Sequence, residues 1–152
     1  MTTTSDLTGT GDGVLAPLAA VLDEQIRCAE AMLGVLDREA RALEAGDAEA
    51  LNDTGAEKVR LVETLDALER ERRDLAAAAS APAPEALGGR WQRLLDLTER
   101  MKTENARNGA RVEARREQIL AALRLLRRAD VPLYDAAGAR QPAREGRVLG
   151  SA

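Results

Sequence analysis

Residues 43–51, LEAGDAEAL, decide the fold because they place a tight reversal between two long amphipathic segments. Gly46 can adopt the left-handed conformation that ends a helix, and Asp47 can cap the first turn of the next one. Apolar residues recur every three or four positions on both sides of this reversal, which is the periodicity of an amphipathic helix. The stretch therefore predicts a helical hairpin whose two helices cover about residues 15–45 and 48–79.

The first predicted helix carries the stronger apolar stripe, and Pro17 is tolerated because it falls in the first turn. The stripe consists of Leu15, Leu18, Leu22, Ile26, Ala29, Leu33, Leu36, Ala40 and Leu43. In the second helix, Gly55 and Lys58 interrupt the corresponding stripe. Both helices are long enough to bury one face against a partner helix, so a packed hairpin is expected.

The rest of the chain predicts a third helix between flexible segments. Pro82, Pro84 and the pair Gly88-Gly89 mark a flexible linker over 80–89, and a helix follows over about 90–128. Residues 1–13 are small and polar and predict a disordered leader, while 131–152 predict a flexible tail. The expected fold is all-α: an elongated antiparallel hairpin or three-helix bundle with coiled-coil-like packing, forming a single domain over 14–130.

The third helix places two asparagines and a glycine on or beside its apolar stripe. Counting from Trp91 in steps of three and four, Asn105 and Asn108 both fall on this seam, and Gly109 follows. Leucine would stabilise such positions better, and glycine inside a helix costs about 1 kcal/mol relative to alanine. We therefore expect polar contact or close backbone approach at this level of the helix. The asparagines either set the register of helix three against the hairpin or receive a partner helix.

Composition excludes several functional classes. The 152 residues include no His and a single Cys, so the usual zinc sites and catalytic His pairs cannot form, and we expect no enzyme activity, metal or cofactor. Cys28 is expected to be a structural apolar residue. No run of apolar residues is long enough to span a membrane and no signal peptide is recognisable, so a cytoplasmic protein without membrane insertion is expected.

Charge is distributed unevenly along the sequence. Residues 14–79 hold eight basic and fifteen acidic residues, a net charge of −7, whereas residues 90–128 hold eleven basic and five acidic residues, a net charge of +6. Helix three is therefore expected to lie against the acidic hairpin, with opposite charges beside the seam. Nucleic acid is not an expected partner, because the pI is about 5.1 and aromatic stacking residues are almost absent.

Four motifs in order resemble the flagellar export chaperones of the FlgN type over about residues 15–138. They are the turn Ala45-Gly46-Asp47, the second helix with Lys58 and Arg72-x-x-Leu75, the motif Asn105-x-x-Asn108-Gly109, and Tyr134-x-x-x-Gly138. The resemblance implies a cytoplasmic chaperone that binds the C-terminal helical segments of the hook–filament junction proteins, hook-associated proteins 1 and 3. It also implies prevention of premature assembly and delivery of these clients to the flagellar type III export gate.

Under this resemblance, helix three is the expected platform for the client. The proposed groove consists of Leu94, Met101, Asn105, Asn108, Gly109, Val112, Ile119 and Leu123. Tyr134 either covers the end of the bundle or docks on the export gate, since exposed tyrosine is a favoured hot-spot residue. The alternative function is a structural coiled-coil adaptor or homodimer without client transfer, so a homo-oligomer stays open.

Overall fold

Three helices make up the described chain. The computed structural model describes residues 9–78 and 87–138, with side chains over 13–78 and 87–127. In chain order the helices are α1 (Gly9–Ala45), α2 (Ala48–Ala78) and α3 (Arg90–Gly138), and the described residues contain no strand. The all-α prediction is therefore confirmed.

The α1–α2 turn forms as the sequence predicted. Gly46 has φ 69°, and the Asp47 amide donates to the Ala42 carbonyl at 3.0 Å. The Asp47 side chain in turn accepts a hydrogen bond of 3.0 Å from the Ala50 amide, which caps the N-terminus of α2. A side chain at position 46 would strain the left-handed backbone, so glycine is required there.

Helix α1 is the central element and buries more of its surface than a single stripe. Its buried apolar residues are Leu18, Val21, Leu22, Ile26, Cys28, Ala29, Met32, Val35, Leu36, Ala42 and Leu43. The predicted stripe covers only part of this set, because α1 contacts α2 on one side and α3 on the other. Leu94 and Leu97 of α3, together with Leu87 just before it, pack into the same core as the α1 residues.

Polar contacts between the helices show how they run relative to one another. Gln25 and Lys58 reach Glu69 and Glu39 respectively, so α2 runs antiparallel to α1. The two helices α1 and α3 run parallel, because pairs near both ends of the bundle join residues that follow the same order in both helices. These pairs are Arg90 with Asp23 at 2.8 Å, Arg93 with Glu30, and Arg111 with Glu44 at 3.9 Å. The predicted pairing of basic α3 with the acidic hairpin is confirmed.

Helix α3 begins after a turn that two glycines make possible. Gly88 and Gly89 have φ of 58° and 75°, and Leu87 just before them is buried in the core. Leu87 therefore anchors the start of α3, although the sequence predicts that position 87 belongs to the flexible linker. Linker residues 80–86 lie outside the described residues.

Two predicted helix boundaries differ from the structure. Helix α1 begins at Gly9 instead of residue 15, so residues 9–13 of the predicted leader are helical. Helix α3 ends at Gly138 instead of residue 128, so the first part of the predicted tail is helical as well. Pro132 removes one backbone donor, yet α3 continues past it to Gly138. Residues 1–8 and 139–152 of the predicted leader and tail lie outside the described residues.

The chain divides into two compact units, Met1–Val112 and Glu113–Ala152, where the sequence suggested a single domain over 14–130. The first unit contains the three-helix core. The described part of the second unit is the C-terminal part of α3, and every side chain from Glu113 to Arg127 is exposed. Across the described residues, no helix is both long enough and apolar enough to cross a membrane.

Candidate functional site

The predicted groove residues of α3 fall into different environments. Leu94 is buried in the core, Met101 packs against that core, and Asn108 is 2% exposed. Asn105, Gly109 and Val112 are exposed within the first unit, whereas Ile119 and Leu123 are exposed in the second. The backbone of Tyr134 belongs to α3, but its side chain lies outside the described residues.

Asn108 ties α3 to α1 through both ends of its amide. Its Nδ2 donates to the Leu36 carbonyl and to Glu39 Oε2, each at 2.8 Å, and its Oδ1 accepts from Arg111 Nη1 at 2.8 Å. A leucine at position 108 could form none of these bonds and would leave Glu39 with one donor fewer. This geometry supports the register role for Asn108, because its buried amide bonds to two particular acceptors of α1, the Leu36 carbonyl and Glu39.

Asn105 contacts α2 instead of the core. Lys58 Nζ donates to Asn105 Oδ1 at 3.0 Å and to both oxygens of Glu39 at 3.1 Å. The ammonium is a compact donor with three hydrogens, which suits three acceptors arranged around it. Glu39, Lys58, Asn105 and Asn108 therefore form a polar layer that joins all three helices, and Lys58 belongs to it even though it interrupted the apolar stripe.

Gly109 has open space around it. A Cβ built on Gly109 meets no atom within 4 Å outside its own helical surroundings, and the residue is exposed. The close backbone approach expected at this glycine therefore does not occur among the described residues.

A second polar layer, which helical periodicity did not predict, lies about four helical turns closer to the N-terminus of α3, since Trp91 and Asn105 are 14 residues apart. Glu69 accepts hydrogen bonds from Arg72 at 2.8 and 2.9 Å, from Arg73 at 2.8 Å and from Gln25 at 3.2 Å. The guanidinium of Arg72 also lies 4.8 Å from the centroid of the Trp91 ring, in cation–π geometry. The i,i+3 and i,i+4 spacing of Glu69, Arg72 and Arg73 was the available signal in the sequence.

Hydrogen bonding sets the ionisation of this second layer. The hydrogen bond from Arg72 lowers the pKa of Glu69 from 4.5 to about 2, with further lowering from Gln25 and Arg73, while partial burial opposes the shift. The hydrogen bond with Glu69 also raises the pKa of Arg72. Both groups are therefore charged at neutral pH and hold α2 against the other two helices.

Cys28 lies in the α1–α2 interface. It is 8% exposed, and its thiol donates a weak hydrogen bond to the Leu61 carbonyl at 3.6 Å. Burial raises the pKa of this thiol, and the negative charge of Glu24 adds to the effect. A raised pKa lowers the thiolate fraction, so the geometry favours the structural role predicted for Cys28.

The second unit presents a continuous apolar helix face, here called the 119–126 face and defined as Ile119, Leu120, Leu123 and Leu126. These side chains are 42% to 60% exposed, and their spacing puts them on one side of α3. Leu125 is 67% exposed and points to the opposite side of the helix. Exposed apolar surface of this kind marks a site of interaction with another protein more often than a solvated surface.

No group of three or more potential metal-ligating side chains occurs among the residues whose side chains the structure describes. Buried Asn108 instead forms hydrogen bonds between helices. Large exposed apolar side chains are present on the 119–126 face of α3. The described residues define an all-helical protein.

Comparison with known proteins gives the family. A family model described as FlgN protein matches residues 15–142. Two relatives named Flagella synthesis protein FlgN, from Salmonella typhimurium and Salmonella typhi, are each 32% identical over 124 residues, which cover 80% of this chain and 88% of the relative. The chain therefore belongs to the FlgN family of flagella synthesis proteins, which is not a known enzyme family. No solved structure matches the chain.

Proposed function

We propose that this protein is a cytoplasmic chaperone of flagellar type III export that binds the C-terminal helical segments of hook-associated proteins 1 and 3. In this role it keeps the junction proteins from assembling prematurely and brings them to the export gate. The family supports a role in flagellar synthesis, and the exposed 119–126 face is the observation that carries the binding role. An amphipathic client helix would cover this face and remove its apolar side chains from water.

The client site that we propose is narrower than the groove expected from the sequence. Leu94 and Asn108 are buried in the first unit, so their side chains are already engaged, whereas the partly buried Met101 lies between α2 and α3, away from the exposed C-terminal part of α3. Ile119 and Leu123 are both about half exposed and lie one helical turn apart. We therefore assign client contact to the 119–126 face and bundle register to Asn108.

Calorimetric titration of the full chain with a C-terminal fragment of hook-associated protein 1 tests this proposal. We expect Ile119→Ser combined with Leu123→Ser to weaken binding by about 30- to 150-fold, because about 2–3 kcal/mol of apolar burial is lost. The matched control is Leu125→Ser, which removes a more exposed leucine from the opposite side of α3 and should leave affinity within about twofold. Equal effects of the two changes would refute the assignment.

A structural coiled-coil adaptor or homodimer is the second candidate, because the 119–126 face could also pair with a second copy. Sedimentation of the full chain with and without the junction-protein fragment separates the two functions. The chaperone function predicts weak self-association and a defined complex with the fragment. A stable homodimer that does not bind the fragment would favour the adaptor.

We further propose that Tyr134 docks on the export gate. Tyrosine provides a large contact area at low conformational-entropy cost, which makes it a common anchor in protein interfaces. Tyr134→Ala should then leave the affinity for the client fragment unchanged while secretion of hook-associated proteins falls. Loss of client affinity in this variant would instead assign Tyr134 to the client site.

A further inference from the structure

Both lysines of the chain line one groove between α2 and α3. The sequence contains 22 basic residues, of which only Lys58 and Lys102 are lysines. They face a space of about 510 Å³, here called the α2–α3 groove. Its lining residues are Met32, Leu36, Lys58, Val62, Leu65, Thr98, Met101, Lys102 and Asn105.

The groove lies between two points at which α2 and α3 are joined. The bond from Lys58 to Asn105 closes one end, and the stacking of Arg72 on Trp91 joins the helices beyond the other end. The α2 wall extends from Lys58 to Leu65, seven residue steps, so the groove is about 10 Å long at 1.5 Å per residue. This length accommodates about two turns of a helix or a short extended segment.

The lining is apolar apart from the two lysine ammonium groups, the Asn105 amide and the Thr98 hydroxyl. Met32 and Leu36 of α1 lie at the base, and Val62 is still 48% exposed on the α2 wall. None of the described residues that line the groove carries a carboxylate. Lys58 is engaged by Glu39 and Asn105, whereas Lys102 forms no ion pair with any residue whose side chain the structure describes. The charge available to a bound molecule is therefore the ammonium of Lys102.

We propose that the α2–α3 groove docks a peptide segment that combines a large apolar side chain with a neighbouring carboxylate. The apolar side chain packs between Val62 and Met101, and the carboxylate pairs with Lys102. The flexible stem of lysine can lie along the apolar wall while its ammonium reaches the carboxylate at the rim. This site belongs to the first unit and is separate from the 119–126 face, so it does not depend on the proposed client site.

Methionine methyl NMR of the full chain tests the proposal directly. The chain has three methionines, and two of them, Met32 and Met101, line the groove, while Met1 provides an internal control. The probe is a synthetic amphipathic peptide of about 15 residues, with leucines on one face and glutamates beside them. The control peptide carries lysines in place of the glutamates.

We expect the acidic peptide to shift the Met101 methyl signal in a saturable manner and the basic peptide to leave it in place. Lys102→Glu should weaken acidic-peptide binding by about fivefold, because an exposed attractive pair becomes a repulsive one. Arg100→Glu makes the same charge change on the opposite side of α3 and should reduce affinity less than twofold. Neither Lys102 nor Arg100 pairs within the described bundle, so both variants should stay folded.

Three outcomes would overturn the proposal. The first is saturable binding of the acidic peptide without any shift of the Met101 methyl signal, which would place the peptide elsewhere. The second is equal binding of the acidic and basic peptides, which would remove the role of Lys102. The third is the absence of any shift at millimolar concentrations of peptide.

Discussion

Replacement of Asn108 by alanine should destabilise the bundle, whereas the same change at Asn105 should have little effect. Both asparagines lie on the seam of α3, but only Asn108 is buried, at 2% exposed. Asn108→Ala removes the charge-assisted bond to Glu39, worth about 1.5–3 kcal/mol, together with the bond to the Leu36 carbonyl. The higher helix propensity of alanine returns about 0.5 kcal/mol. We expect a net loss of about 2 kcal/mol in the free energy of unfolding.

For Asn105→Ala, the same contributions add up to almost no net change in the free energy of unfolding. Lys58 keeps both hydrogen bonds to Glu39 when the exposed Asn105 amide is lost. Better helix propensity offsets the weak bond that disappears, so Asn105→Ala should stay within about 0.5 kcal/mol of the parent protein.

Thermal and urea unfolding followed by circular dichroism measure both variants. Asn108→Ala should lower the Tm by about 4–8 °C, at the 2–4 °C per kcal/mol expected for a chain of this size. Asn108→Asp is the second variant, because it keeps the shape of the side chain but replaces the donor with a carboxylate facing Glu39. It should destabilise more than alanine at neutral pH. Equal losses at positions 105 and 108, or a neutral Asn108→Asp, would refute the account of the polar layer.

Two substitutions and one labelling experiment provide further tests of the bundle. Gly109→Ala should stabilise the protein by about 0.5–1 kcal/mol in urea unfolding, because the added methyl group meets open space, and a loss of stability would reveal a close contact that the structure lacks. Because the pKa of Glu69 is lowered to about 2, its stabilising contribution is present above pH 4.5 and is lost as pH falls towards 2. Glu69→Gln should therefore cost about 1 kcal/mol at pH 7, discounted because this carboxylate is one-third exposed, and the difference should disappear near pH 2; a difference independent of pH would contradict the ion pair. Finally, Cys28 should react slowly with a thiol reagent in the folded protein and rapidly in urea, and rapid native labelling would contradict its burial.

The sequence predicted those parts of the fold that depend only on neighbouring residues, such as the turn between α1 and α2. Gly46 and Asp47 specify their turn through backbone conformation and capping alone, so the hairpin could be predicted without knowledge of the rest of the chain. The charge difference between the hairpin and the third helix similarly predicted which helices pair. Helix ends were less predictable, because the glycines of the leader and Pro132 disfavour helix, yet α1 begins at Gly9 and α3 continues to Gly138.

The candidate site could be predicted only in part, because helical spacing does not say which neighbour occupies a face. Spacing placed Asn105, Asn108 and Ile119 on a single seam, but burial separates them: one contacts α2, one contacts α1 and one stays exposed. The contact between Arg72 and Trp91 joins residues that are 19 positions apart and belong to two different helices, so periodicity within one helix cannot reveal it.

Amide hydrogen exchange of the full chain, alone and with the C-terminal fragment of hook-associated protein 1, tests the central claim most directly. If the 119–126 face receives the client, protection should increase for amides within 113–127, while amides of the α1 core around Leu22 and Leu36 keep their exchange rates. A defined complex that leaves exchange over 113–127 unchanged would contradict the assignment of the client site to this face.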